Sequence, residues 1–260
     1  MSDLLRADLI SYTPPGRETP LYRDFSFSLH KGDFLLMAGS NGSGKSTLLK
    51  LLCGFLKPEK GEVTLLGKPC RKWKEKERSD HIGYVPQGLP LFTGFTVREL
   101  VTAGRSSHTP FGAFLSRKDR EKIMEAMEAM DLSALADRPL SALSGGECRR
   151  ASIAAILARS PSILLLDEPT AALDFYHGQK LMLLLEKYRK ERGVTIAMTA
   201  HDLLIPVPFA ARVVLLKEGR IIKDGTPEET LTSEELYKAF HCHFEVGRSS
   251  GGVMTFSLQK

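Results

Sequence analysis

Nine residues, GSNGSGKST at positions 39 to 47, carry the most specific chemical signal in the chain. Gly39, Gly42 and Gly44 alternate with the small residues Ser40, Asn41 and Ser43, and Lys45, Ser46 and Thr47 follow directly. This is the pattern G-x4-G-K-[ST]. In such a loop backbone N–H groups turn inward around phosphate, and the positive end of the next helix adds to them. The context fits: the apolar run FLLMA precedes the loop, and KSTLLKLLCGF, apolar at a helical period, follows it. Lys45 is expected to reach the β and γ phosphates of a nucleoside triphosphate, and the Ser46 hydroxyl to ligate Mg²⁺.

A second carboxylate site is expected where SILLLD ends. Asp167 closes a solid apolar strand, the place of the carboxylate that helps hold Mg²⁺ in P-loop enzymes. Glu168, one step further, can hold and polarise a water aimed at the γ-phosphorus. The pair predicts hydrolysis of the bound nucleotide, not storage.

LSGGECRR at 143 to 150 raises a question, because it looks like a second phosphate cradle. Ser144 and Glu147 form a capping box, so the simplest role is a well-capped helix. Gly145 and Gly146 nevertheless weaken that helix, at roughly 1 kcal/mol each against Ala in a helix interior. They make sense if something must approach the helix start closely, and an anion suits its positive end.

Taken in order, the P-loop, LSGGE, LLLDEP and a later strand ending in His201 make the chain resemble the nucleotide-binding subunit of an ABC transporter, from about residue 8 to 240. That resemblance implies ATP and Mg²⁺ as ligands and a second copy of the chain as partner. The two copies would pack head to tail, so that Ser144, Gly145 and Gly146 of one face the ATP on the other's P-loop. It implies integral membrane permease subunits and a peripheral place on the cytoplasmic face of the cell membrane. It also assigns Tyr12 to stacking on adenine, with Tyr22 as the alternative, Gln87 to the Q-loop with a hand in Mg²⁺ binding, Asp174 to the D-loop and His201 to the switch. Independently, Gln87 follows the short strand IGYVP and opens a helical stretch, so its amide is placed to report between subdomains.

Three departures from the family pattern stand out. The usual LSGGQ is LSGGE, and Glu147 would repel phosphate unless it points back to the cap. Cys148 follows it, where a structural thiol is expected. Pro206 and Pro208 interrupt a segment that relatives continue as helix.

The VREL and AGR segments and the GTPEE tail resemble the ATPases of importers for iron chelates, haem and cobalamin. The alternative is an ABC-type ATPase without a transport role, such as one serving cluster assembly. DNA-repair relatives are disfavoured, since no sustained heptads lie between Ser46 and Leu143.

The elements that must position these residues alternate β and α. The runs FLLMA, SILLLD and VTIAMTA read as strands buried on both faces, as in a parallel sheet covered by helices. GEVTLLG and RVVLLKEGRIIKDG read as antiparallel strands or hairpins. Capping boxes at Thr96, Ser116, Thr226 and Thr232 open helices, and Ile123, Met127 and Met130 form a core stripe. The expected fold class is α/β: a P-loop core with a mostly parallel sheet, an antiparallel β subdomain and a helical insert over about 90–160. The cassette is expected over 1–240, with a C-terminal extension over 241–260.

Composition sets the outer bounds. With 42% hydrophobic and 26% charged residues among 260, the chain can bury a full core, and no apolar run approaches membrane-spanning length. The opening MSDLLRADLI has neither a basic nor an apolar leader region, so no secretory signal is expected. Four scattered cysteines suggest no disulfide framework. The net charge of +5 selects no partner by itself, and the basic stretch RKWKEKER lacks aromatic interleaving, so no nucleic acid is expected. His241, Cys242 and His243 offer too few ligands for a closed metal site.

Overall fold

A computed structural model describes residues 3–88, 94–106 and 114–258. The segment 107–113, part of the stretch behind the importer resemblance, lies outside them. Along the chain run β1 (Asp3–Tyr12), β2 (Tyr22–His30), β3 (Phe34–Ala38), α1 (Lys45–Leu52), β4 (Lys60–Leu65), β5 (Lys68–Pro69), α2 (Glu75–His81) and β6 (Ile82–Val85). There follow α3 (Val97–Ser106), α4 (Arg117–Ala129), α5 (Gly145–Leu157), β7 (Ile163–Leu166), α6 (Phe175–Arg192) and β8 (Thr195–Thr199). The chain closes with β9 (Arg212–Lys217), β10 (Arg220–Gly225), α7 (Pro227–Thr230), α8 (Ser233–Phe240), β11 (Phe244–Arg248) and β12 (Met254–Leu258).

The chain forms two compact units, one of residues 1–73 and 195–260, the other of 74–194. In the first, β3 is flanked by β8 and β9, both parallel to it, and β10 joins β9 antiparallel. All five side chains of β3 are fully buried, which is why FLLMA needs no polar alternation. A separate antiparallel sheet in the order β2-β1-β4-β5 completes this unit's β structure together with the hairpin β11–β12. Pro206 and Pro208 have the expected effect: only a 3₁₀ turn, Val207–Phe209, forms after His201.

In the second unit β6 and β7 pair parallel, and α3, α4 and α5 pack on one another. Gly104 permits the closest approach, since a Cβ there would lie 2.1 Å from the carbonyl oxygen of Ala155. Arg105 fastens the same corner, with Nε donating to Asp119 Oδ1 at 2.7 Å and Nη1 to the Ala158 carbonyl at 3.2 Å. The stripe of Ile123, Met127 and Met130 is buried as its spacing predicts.

The capping boxes at Thr96, Ser116, Ser144 and Thr226 form with both reciprocal bonds. At Thr232 only half of the device is present. The Thr232 hydroxyl accepts from the Glu235 N–H, but Glu235 Oε1 accepts from Lys238 in place of the cap backbone. A lysine three residues on competes for the carboxylate.

Candidate nucleotide site

The phosphate loop joins β3 to α1 in the first unit. Gly39, Gly42 and Gly44 all take positive φ, at 150°, 76° and 113°. At two of them bulk is excluded as well. A Cβ on Gly39 would lie 2.1 Å from the Leu216 carbonyl oxygen, and one on Gly44 2.4 Å from the Tyr22 hydroxyl. Gly44 caps α1 without a side-chain bond, and no acidic residue stands in the first turn. The helix start is therefore left positive, as an anion site requires.

Lys45 is only 5% exposed, and its Nζ donates to the carbonyls of Gly39 at 2.7 Å and Ser40 at 3.0 Å. The ammonium is thus drawn over the loop mouth. Ser43 Oγ is 1% exposed as a residue and has no hydrogen-bond partner among the described residues, an orphaned polar atom inside the cradle. Ser40 and Asn41 complete the loop, and Ser46 and Thr47 sit half-buried in the first turn of α1. Glycine turns, an uncapped helix start, a buried cation and a spare hydroxyl fit a polyphosphate.

Tyr22 has a role the sequence did not reveal. It is fully buried, and its hydroxyl donates to the Gly44 carbonyl at 2.9 Å, so it braces the loop from behind and is not a surface for adenine. Burial pushes its phenol well above the ordinary tyrosine range. Tyr12 stands opposite it at the end of β1, 9% exposed. His201 lies exposed in the bend after β8.

In the second unit Asp167 and Glu168 follow β7, as SILLLD predicts, and both are buried. Tyr84 Oη donates to Asp167 Oδ2 at 3.3 Å, and Gln87 Nε2 donates to Glu168 Oε2 at 2.6 Å. Glu168 has φ of +47°, a left-handed conformation that a residue with a Cβ holds at a cost of about 1–2 kcal/mol. Such strain concentrates where a side chain must be aimed. The Asp167 carboxylate and the amide oxygen of Gln87 are hard oxygen donors, the kind that suits Mg²⁺, and in the first unit the Ser46 hydroxyl is another.

Behind these side chains lies Arg149, which sequence reasoning passed over. It is 4% exposed and donates to the carbonyls of Pro86, Gln87, Asp167 and Pro169. The available signal was an arginine four and eight residues before Ile153 and Leu157, on the apolar face of α5.

The helix start at Ser144 answers the question posed by its glycines. Glu147 Oε2 accepts from Ser144 N at 2.8 Å and from Ser144 Oγ at 2.9 Å, so the carboxylate is turned back to the cap. Those bonds hold it below the usual carboxylate range, the backbone N–H contributing most. The two glycines separate in role. A Cβ on Gly146 would meet the His177 ring at 3.1 Å, whereas one on Gly145 meets nothing within 4 Å. Gly146 is small for an internal neighbour; Gly145 leaves room for something from outside. Asp174 joins the group, since its Oδ1 caps α6 through the His177 N–H at 2.8 Å and holds His177 Nδ1 at 2.8 Å.

Cys148 Sγ packs toward the Leu140 carbonyl at 3.5 Å, and burial first, Glu147 second, push its thiol up. It stays protonated, as a packing thiol does. Near the C-terminus His241 Nε2 lies 2.7 Å from Lys217 Nζ, and His243 stacks on Tyr237 with ring centres 4.4 Å apart. Among the described residues no helix is long and apolar enough to cross a membrane.

The family model of the ABC transporter matches residues 22–171. The hemin import ATP-binding protein of Rhodococcus jostii is 38% identical over 244 residues, covering 93% of this chain and 81% of that one. The iron(3+)-hydroxamate import ATP-binding protein of Bacillus subtilis is 37% identical over 226 residues, 87% of this chain and 84% of that one. Among solved structures, one described as a metal-chelate type ABC transporter in an inward-facing conformation superposes with a TM-score of 0.85 at 29% identity, covering 100% of this chain and 98% of that one. A dimeric ATP-binding cassette in a post-hydrolysis state with ADP and Pi gives 0.74 at 29% identity, covering 85% and 98%. Phosphate cradle, strained glutamate and these likenesses converge on one conclusion: the chain belongs to the ABC transporter ATP-binding family and is an ATPase of that family.

Proposed function

We propose that this ATPase energises an importer of a metal chelate, with iron siderophores, haem and cobalamin as the substrate class. It does so at the cytoplasmic face of the cell membrane, held there by integral permease subunits. The observation that carries this reading is the 2.6 Å bond from Gln87 to Glu168. It ties the carboxylate that would polarise water to the residue opening the segment toward the helical region, so a push on that region reaches the chemistry. The relatives' printed activities, hemin and iron(3+)-hydroxamate import, point to the substrate class.

Each residue then has a task. Gly39, Ser40, Asn41, Gly42, Ser43 and Gly44 wrap the phosphates, Lys45 neutralises the β and γ oxygens, and Thr47 lengthens the row of first-turn donors. Tyr12 stacks on adenine. Bound Mg²⁺, held by Ser46, Asp167 and Gln87, would offset charge on the phosphate oxygens. Glu168 orients the attacking water and accepts its proton, while His201 contacts the γ-phosphate. Ser144, Gly145 and Gly146 act on the ATP of a second copy, and Asp174 fixes that edge through His177. Two copies packed head to tail therefore complete two sites.

Deleting the gene and measuring uptake of a ferric hydroxamate, haem and cobalamin tests the proposal. Uptake of one class should fall to background, wild-type chain should restore it, and Lys45→Ala should not, having lost ATP binding. Undiminished uptake of all three would overturn the importer assignment; unchanged ATP affinity in Lys45→Ala would overturn the role of the loop.

A further inference from the structure

Arg149 stands in none of the roles above, yet it binds both loops that carry them. It leaves α5 on the face shared with Ile153 and Leu157 and ends in a site where its four hydrogen bonds all go to main-chain carbonyls. Nη1 reaches Pro86 at 2.7 Å and Gln87 at 3.3 Å, Nη2 reaches Asp167 at 3.0 Å, and Nε reaches Pro169 at 3.2 Å.

Two features separate this from ordinary packing. A buried guanidinium whose hydrogen bonds all go to neutral carbonyls is costly, and burial pushes this one down to about 10 against the opposing pull of Asp167, Tyr84 and Glu168. A helix face needing only to pack would be served as well by Leu or Met. Moreover, the acceptors are not scattered. Asp167 and Pro169 bracket Glu168, the residue held at φ +47°, so the clamp grips the strained turn on both sides. The remaining acceptors are Gln87 itself and the residue before it. Gln87 and Glu168 are 81 residues apart in sequence, and their side chains meet at 2.6 Å across these two gripped backbones.

We propose that Arg149 is a positioning residue for hydrolysis: by holding the backbones on either side, it sets the Gln87 amide against the Glu168 carboxylate. The planar fork matters, because a lysine ammonium on a flexible stem cannot serve carbonyls in divergent directions with fixed geometry. The proposal rests on the assignment of Glu168 as the group that orients water.

The test is a double-mutant cycle on the full chain, reading single-turnover hydrolysis of radiolabelled ATP and, separately, ATP affinity. A misplacement near 1 Å can cost about 100-fold, so Arg149→Met should slow hydrolysis by roughly 10- to 100-fold, with ATP affinity within about twofold of wild type. Arg149→Lys should recover part of the rate. In a Glu168→Gln background Arg149→Met should add less than about threefold, since its effect runs through a group already disabled. Losses that multiply in the double variant, or that appear as weakened ATP binding at unchanged rate, overturn the positioning role. Should Arg149→Met fail to fold, Arg149→Lys and Arg149→Gln carry the same cycle, with the same criterion for overturning it. Full hydrolysis by Glu168→Gln alone would instead overturn the assignment of Glu168, and the positioning role with it, so the two failures are distinguishable.

Discussion

Replacing Glu168 with Gln removes one function and leaves the surroundings nearly intact. Glu168 is 7% exposed, and its carboxylate accepts the Gln87 Nε2–H at 2.6 Å, a bond the carboxamide oxygen of Gln can still accept, though without the charge. The left-handed backbone belongs to the turn and is unaffected by an isosteric swap. What disappears is the capacity to take a proton from water. General-base contributions run to about 10²–10⁴-fold, or roughly 2.7–5.4 kcal/mol of barrier. From a turnover near the common enzyme value of about 10 s⁻¹, hydrolysis would slow to about 0.1–0.001 s⁻¹. A bound ATP would then last from several seconds to about ten minutes, less than the time of a typical gel-filtration run. ATP is therefore kept in the running buffer. ATP held between the Lys45 loop of one chain and Ser144–Gly145 of the other should join two copies, so the variant elutes as a dimer with ATP and as a monomer with ADP. Adding Ser144→Arg should abolish the dimer and leave ATP on the P-loop, because the bulk lands at the helix start where Gly145 leaves open space. A Glu168→Gln protein that binds ATP yet stays monomeric at micromolar concentration would refute the in-trans role of Ser144 and Gly145.

Three stability predictions read single contacts of the fold. Gly44→Ala places a Cβ at φ +113° and 2.4 Å from the Tyr22 hydroxyl, so urea denaturation should show a loss of about 2–4 kcal/mol, partly restored by Tyr22→Phe; a wild-type midpoint would contradict the brace. Tyr22→Phe alone should cost about 0.5–1.5 kcal/mol, the net value of one buried hydrogen bond. Bonds from Ser116 first, and then Arg105, hold the Asp119 carboxyl down at about 2 from its ordinary 3.8. A depressed carboxylate stabilises the fold above its unfolded value and loses that effect as pH falls toward the folded one. The difference in Tm between wild type and Asp119→Asn should therefore be full at pH 5, shrink below pH 4 and be lost as pH falls through about 2; a constant difference would rule out the ion pair as its source.

What could be read from the sequence was local in origin. FLLMA, SILLLD and VTIAMTA are strands because both faces are buried, a property visible in five to seven residues. Capping boxes need only four residues, and four of the five expected ones form completely, the one at Ser116 even though Arg105 also binds the Asp119 carboxylate. At Thr232 the Glu235 carboxylate pairs with Lys238 and does not reach back to the cap backbone, an outcome set by side-chain geometry. What was not legible depends on pairs distant in the chain. The hydroxyl of Tyr22 finds Gly44 22 residues away, and Arg149 reaches Pro86 63 residues back. Nothing near either residue in sequence signals such a partner; at most an arginine on an apolar helix face poses the question.

The pair Gly145 and Gly146 shows how far each source goes. Sequence alone treats them alike, as two helix-weakening residues behind a capping serine. The structure divides them, because His177, oriented by Asp174, stands against Gly146 while Gly145 faces open space. An internal contact therefore accounts for one glycine and not the other. Glu147 sharpens the distinction. A carboxylate beside an incoming phosphate would oppose it, but this one is folded onto Ser144 by two bonds, leaving the positive helix end as the group presented outward. Removing those bonds with Glu147→Ala should cost the helix about 0.5–2 kcal/mol, whereas Gly145→Ala should leave stability unchanged or raised, since its Cβ meets nothing in the chain. If Gly145→Ala nevertheless weakens ATP-dependent dimerisation of the Glu168→Gln protein, the space at Gly145 is occupied by the other copy's nucleotide. Equal dimerisation with Gly145 and with Ala would mean that the second cradle holds no phosphate.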